Sequence, residues 1–111
     1  MGRPGVDRWH PLRIGADVYG TVMIAKTKVP ADEIRARAEK WAQERGPSVG
    51  YIDEWLMTAD DGRIVMAVRF ESKAAYLALA DDPSQSDWWQ SEVAPLLDGE
   101  PDWIDGHWIA S

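Results

Sequence analysis

Two alternating apolar runs separated by a short acidic turn ending in glycine constrain this chain more than any other feature. Gly50 to Thr58 (GYIDEWLMT) and Arg63 to Glu71 (RIVMAVRFE) flank Ala59-Asp60-Asp61-Gly62. Gly at the end of such a turn supplies a positive φ, so the two runs read as a β-hairpin. Its register fixes which side chains share a face, since a slip of one residue sends every side chain to the other side. A three-residue loop over Asp60 to Gly62 sets Ala59 against Arg63 and Asp53 against Arg69. One face then carries Ile52, Leu56, Ile64, Met66, Val68 and Phe70, with Glu54 as the one acid among them. The other carries Tyr51, Asp53, Trp55, Met57 and Arg69. A two-residue Asp61-Gly62 turn instead pairs Glu54 with Arg69 and moves Trp55 beside Met66.

Elements on either side of the hairpin complete a pattern. Tyr19 to Lys28 has the β-branched and apolar bias of a strand covered on both faces. Pro30, Asp32 and Glu33 suit a helix start, and Ile34, Ala38, Trp41 and Ala42 form one apolar stripe before Gly46 and Pro47 end the helix at Arg45. Its charged pairs, Glu33 with Arg37 and Lys40 with Glu44, read as solvated surface. Ser72 is an N-cap for a helix from Lys73 to about Ala80, and Asp82-Pro83 breaks it. A second helical piece begins near Gln85, with Trp89, Val93, Leu96 and Leu97 on one side and Pro95 in its last turn. Trp103 to Ile109 reads as the last strand.

The order β-α-β-β-α-β predicts an α+β, ferredoxin-like fold: a four-stranded antiparallel sheet with both helices on one face. A chain of 111 residues has room for one core, expected over residues 18–111, with 1–17 as an N-terminal arm. The bare sheet face, centred on Asp53, Trp55 and Arg69, asks for a second copy, so a homodimer is expected.

Composition excludes several function classes. The net charge of −7 argues against nucleic acid and anionic membranes, and no run reaches the roughly 20 apolar residues of a membrane helix. The N-terminal stretch lacks the apolar run of a secretory signal, and with no Cys the chain suits a cytoplasmic setting. Absence of Cys also removes thiolate and Cys-zinc chemistry, while His10 and His107 lack a third ligand at metal spacing, so no metal is expected. No Gly-rich phosphate loop or Ser nucleophile motif appears, and no cofactor is expected. Seven Trp, each able to bury roughly 150 to 250 Å², supply core and interface, or wall a cavity for a small organic molecule.

At this point the chain resembles a known family. FESKAAY (Phe70 to Tyr76) after a strand, the ADDP break (Ala80 to Pro83), the aromatic helix and EVAPLL (Glu92 to Leu97) are similar to the antibiotic biosynthesis monooxygenase group of dimeric α/β barrel proteins. The resemblance spans about Tyr19 to Ile109. It implies a cavity between sheet and helices, walled by Met66, Phe70, Tyr76, and Trp89 or Gln90. The family's quinol-forming oxygenases carry Asn at the place of Met66, Trp at Phe70 and Arg near Trp89, and this chain departs from them there. Haem-degrading relatives use a helix His, which the second helical region lacks.

Within this frame Glu54 is the candidate base, its pKa raised if it faces an apolar pocket, and Tyr76 the candidate orienting donor. Three functions fit: a cofactor-independent monooxygenase acting on a planar aromatic or polyketide-like compound, a non-catalytic binding or accessory dimer, and an isomerase or cyclase on the same scaffold.

Overall fold

A computed structural model describes residues 17–109. The arm expected over 1–17, apart from Asp17, and His10 within it lie outside the described residues. The elements run β1 (Tyr19–Ala25), α1 (Ala31–Arg45), β2 (Tyr51–Thr58), β3 (Ile64–Phe70), α2 (Lys73–Ala80), α3 (Pro83–Trp88) and β4 (Asp102–His107). The strands form one antiparallel sheet in the order β2-β3-β1-β4, the ferredoxin-like α+β arrangement. No helix among the described residues is long and apolar enough to cross a membrane.

The hairpin takes the three-residue loop. Ala59 N donates to Arg63 O at 2.8 Å, Gly62 N donates to Ala59 O at 2.9 Å, and Gly62 sits at φ 90°. Asp53 therefore opposes Arg69 and Trp55 opposes Ala67, which rules out the alternative pairing of Glu54 with Arg69. One expectation fails at the far end of β2. The register shifts between Tyr51 and Asp53, so Ile52 is an extra residue and Tyr51 opposes Phe70. Tyr51 thus joins the face of Phe70 instead of the face of Trp55, and the two rings meet edge to face at 5.7 Å.

Element ends differ modestly from the sequence reading. β1 stops at Ala25, short of Lys28, because Thr27 leaves the ladder to bridge Leu97, and Lys28 N donates to Leu96 O. Asp82-Pro83 both ends α2 and starts α3: the Asp82 carboxylate accepts from Ser84 N at 2.9 Å and Pro83 occupies the first turn. α3 widens into a π-turn over Trp89–Val93, then tightens to a 3-10 turn over Ala94–Leu96 that contains Pro95. Ser72 caps α2 by accepting from Ala75 N at 3.1 Å.

Registers on both sides of each central strand line up as cross-sheet rows. On the helix-covered face the rows are Leu56–Met66–Met23–Trp103, Glu54–Val68–Thr21–Asp105 and Tyr51–Phe70–Tyr19–His107. The core sits toward the first of these, where Met23, Ala25, Ile34, Ile64, Val93 and Leu97 are buried together. On the open face Trp55–Ala67–Val22–Ile104 makes an apolar row from edge to edge. Trp55 is 69% exposed there and Ile104 58%.

One corner of the open face is closed by the chain itself. Trp108 lies beside Gly20, and its indole Nε1 donates to Val68 O at 3.1 Å. A Cβ on Gly20 would sit 1.8 Å from that carbonyl oxygen and 2.8 Å from the indole nitrogen, so only glycine fits.

Candidate functional site

Beyond the core, the sheet and helices part around a cavity of about 900 Å³. Its floor comes from all three rows of the covered face, through Leu56, Met66, Met23 and Trp103, through Glu54, Val68 and Thr21, and through Tyr51 and Phe70, and its walls come from α1, α2, α3 and the π-turn. Aromatic side chains dominate the lining. Trp41 and Trp88 stack at 5.7 Å with their planes 8° apart, and the Trp41 indole N–H donates to Gln85 Oε1 at 2.6 Å. Trp89 meets Trp88 at 6.3 Å and Trp103 at 5.1 Å. Phe70, fully buried, meets Tyr76 at 5.7 Å. Such walls favour a flat, largely apolar ligand with few polar groups.

Two of the polar groups that line the cavity, Glu54 and Tyr76, stand toward opposite ends of one row. Glu54, on the edge strand β2, lines the cavity. It keeps open surface along the sheet edge, but the cavity strips water from its carboxyl group and raises its pKa above the ordinary glutamate range, with Arg45 opposing. At the other end Tyr76 reaches from α2, and its hydroxyl donates to Asp105 Oδ1 at 3.2 Å. Burial raises the Tyr76 pKa, and the Asp105 charge adds to it, so the hydroxyl stays a proton donor. Across the four strands the row from Glu54 to Asp105 spans about 14 Å at ordinary strand spacing.

Of the residues singled out from sequence, Glu54, Met66, Phe70, Tyr76 and Trp89 line this one cavity. Gln90 does not; it is exposed and outside the lining, because the π-turn that carries Trp89 inward turns the next residue to solvent. Trp88 lines the cavity alongside Trp89, which a regular helix with neighbours 100° apart had not implied. Asp53, Trp55 and Arg69 belong to strands β2 and β3 and, by the register, to the open face, but Trp55, on the edge strand, also borders the cavity. Among the described residues no group of three or more His, Asp or Glu side chains is placed to hold a metal ion. His107 packs its ring edge against Tyr19 at 4.9 Å.

Sequence reasoning missed three contributors: Tyr51, Trp41 as a wall, and Arg45. The last two carried a signal. Trp41 and Arg45 lie on the α1 stripe begun by Ile34 and Ala38, so the stripe that faces the sheet ends in a cation. Tyr51 depended on a bulge that the sequence does not announce.

No protein-family model matches the sequence, and no curated protein matches it. Solved structures do match in fold. A monooxygenase from the gene ActVA-Orf6 of Streptomyces coelicolor, in complex with Nanaomycin D, superposes with a TM-score of 0.65 at 18% identity, covering 86% of this chain and 91% of that one. SnoaB, a cofactor-independent oxygenase from Streptomyces nogalater, gives 0.60 at 16% identity over 80% and 92%. A hydroxynitrile lyase from Passiflora edulis gives 0.63 at 13% identity over 87% and 98%. The chain therefore has the fold of the antibiotic biosynthesis monooxygenase-like proteins, a fold that also carries lyase chemistry.

Proposed function

We propose that this protein is a cofactor-independent monooxygenase-type enzyme that acts on a planar aromatic or polyketide-like molecule held between sheet and helices. The observation that carries the reading is Glu54: a carboxyl group that lines an aromatic cavity, its pKa raised above the ordinary glutamate range by partial burial. A carboxylate so placed is a stronger base than one in water and removes a proton from an activated ring carbon. Tyr76 donates to a phenol or quinone oxygen at the far end of the ring system, exchanging its hydrogen bond to Asp105 for one to the ligand.

The resulting carbanion is electron-rich enough to reduce dioxygen directly. For an anthrone-type substrate the balance is CH2 plus O2 giving C=O plus H2O: one oxygen atom enters the product and the other leaves as water. Met66, Phe70 and Trp89 hold the ring system and keep water from the carbanion. The fold shared with two oxygenases supports this reading, and so does the ring-shaped lining. The fold shared with a hydroxynitrile lyase favours a second reading in which the same base acts without oxygen.

The working unit in this proposal is a homodimer joined through the open face, around Asp53, Trp55 and Arg69. Support comes from the row Trp55–Ala67–Val22–Ile104, apolar along its whole length.

Oxygen uptake with a panel of anthrones and naphthols tests the reaction. One O2 is consumed per substrate by the wild type, and Glu54→Gln loses the activity by roughly 10²–10⁴-fold, the usual weight of a general base. Product of unchanged mass with no oxygen consumed would instead establish an isomerase, cyclase or lyase. Ligand-raised melting temperature with no turnover by any substrate would establish a binding protein.

A further inference from the structure

Among the described residues, every arginine but one is ion-paired with a carboxylate. Arg35 holds Glu39, Arg37 holds Glu33 and Glu92, Arg63 holds Asp61 and Arg69 holds Asp53. Arg45 is the remaining arginine among the described residues, and no carboxylate there forms an ion pair with it. It is the last residue of α1 and lines the cavity with Ser48, Tyr51 and Glu54. Nη1 donates to Gly46 O at 2.9 Å and to the Ser48 hydroxyl, which fixes the plane of the guanidinium. Nε is buried with no hydrogen-bond partner among the described residues, as is Nε of Arg37, but Arg37 lies outside the cavity lining and its guanidinium is already held by Glu33 and Glu92.

A buried N–H on a cation with no acceptor is an incomplete arrangement, and a charge-assisted bond to an oxyanion would complete it. Glu54 does not serve as that acceptor. It lies near enough for the Arg45 charge to act on it, yet it forms no ion pair among the described residues and desolvation favours its neutral form. We propose that Arg45 is the anion anchor of the cavity, and that the natural ligand carries an acidic oxygen, as carboxylate, enolate or phenolate, which Arg45 binds at the β2 end of the row. This rests on the reading that the cavity takes a planar ring, and it narrows that ring to an acidic one. In the catalytic reading the same contact stabilises the enolate that forms when Glu54 removes the proton.

Quenching of tryptophan fluorescence by 2-naphthoate and by its neutral counterpart 2-naphthamide tests the anchor without turnover. The wild type is expected to bind the carboxylate at least tenfold more tightly than the amide. Arg45→Met is expected to bring the two within about twofold, mostly by weakening the carboxylate, while Arg63→Met keeps the preference. The wild-type ratio stands by itself if Arg45→Met fails to fold. Equal binding of both probes by the wild type, no binding of either, or a preference that survives in Arg45→Met would overturn the proposal. A preference for naphthoate in a protein that consumes no oxygen leaves the anchor intact and removes the oxygenase; oxygen uptake by Arg45→Met at the wild-type rate does the reverse.

Discussion

Glu54 and Asp105 close the two ends of a single cross-strand row, through Val68 and Thr21, of which all but Asp105 line the cavity. Opposite edges of the sheet thus contribute the two carboxyl groups, and their surroundings differ. Asp105 is exposed and accepts a hydrogen bond from Tyr76, whereas Glu54 faces the aromatic lining and is pushed toward its neutral form. In the proposed reaction the first acid serves as the base, while the second holds a donor in place.

The raised pKa of Glu54 has a thermodynamic consequence. Because the folded value lies above the unfolded one of about 4.3, the fold favours the protonated carboxyl. That contribution is fully present below the unfolded pKa and is lost as pH rises through the folded pKa. Glu54→Gln is neutral at every pH and escapes the loss. Its melting temperature should match the wild type near pH 4 and exceed it at pH 7 to 8. Thermal melts across that range check the sign; a variant less stable than wild type at pH 8 would mean that Glu54 is ionised and paired in the fold.

Asp53 titrates in the opposite sense. Arg69 Nε and Nη2 donate to its two carboxylate oxygens at 2.9 and 2.6 Å, and those bonds hold its pKa below the usual aspartate range. Their side chains are 12% and 30% exposed, so solvent screens the pair only partly. The stabilisation is present above the unfolded pKa of about 3.9 and is lost as pH falls through the lower folded value. Asp53→Asn should cost about 1–2 kcal/mol at pH 7, with the gap to wild type shrinking in stronger acid. Urea unfolding at pH 7 and near pH 3 measures both.

How much of this was legible depended on whether a residue's face followed from local chemistry. The Asp53–Arg69 pairing did, because Gly62 at the end of an acidic turn selects the loop and the loop selects the register. Helix α1 and the Ser72 cap were legible for the same reason. Tyr51 was not: the bulge at Ile52 reverses it, and no residue type demands a bulge there. The family resemblance left Trp89 or Gln90 as the wall beyond the helix break, and only Trp89 lines the cavity. Arg45 was readable from the 3.6-residue period, but a charge at a helix C-terminus is usually satisfied by the dipole and by solvent, so its entry into the cavity needed the three-dimensional arrangement.

Gly20 and Trp108 should prove inseparable. Alanine at 20 drives a methyl group into the backbone oxygen of Val68, which cannot swing aside as a side chain can. Gly20→Ala is expected to cost about 3 kcal/mol, the upper end for overpacking. Trp108→Phe deletes the indole donor and leaves the Val68 oxygen without it, at about 1–2 kcal/mol. Denaturant midpoints of the two single variants and the double variant decide the matter: neighbours that share one carbonyl should be non-additive.

Trp55 tests whether the open face is an interface. In an isolated protomer its ring is 69% exposed, beside Met57 at 55%, and Ile104 ends the same apolar row at 58%. Burial against the same face of a second copy would remove all three from water, and a central Trp is the residue type that most often dominates such a contact. Trp55→Glu adds a charge next to Asp53, so a face-to-face dimer would bring four acids together around its axis, two from each copy. Light scattering after gel filtration should give twice the chain mass for the wild type and the chain mass for Trp55→Glu, with the dimer dissociation constant raised at least about 30-fold, a loss of roughly 2 kcal/mol. A wild type that stays monomeric at micromolar concentration would mean that the row from Trp55 to Ile104 serves no second copy.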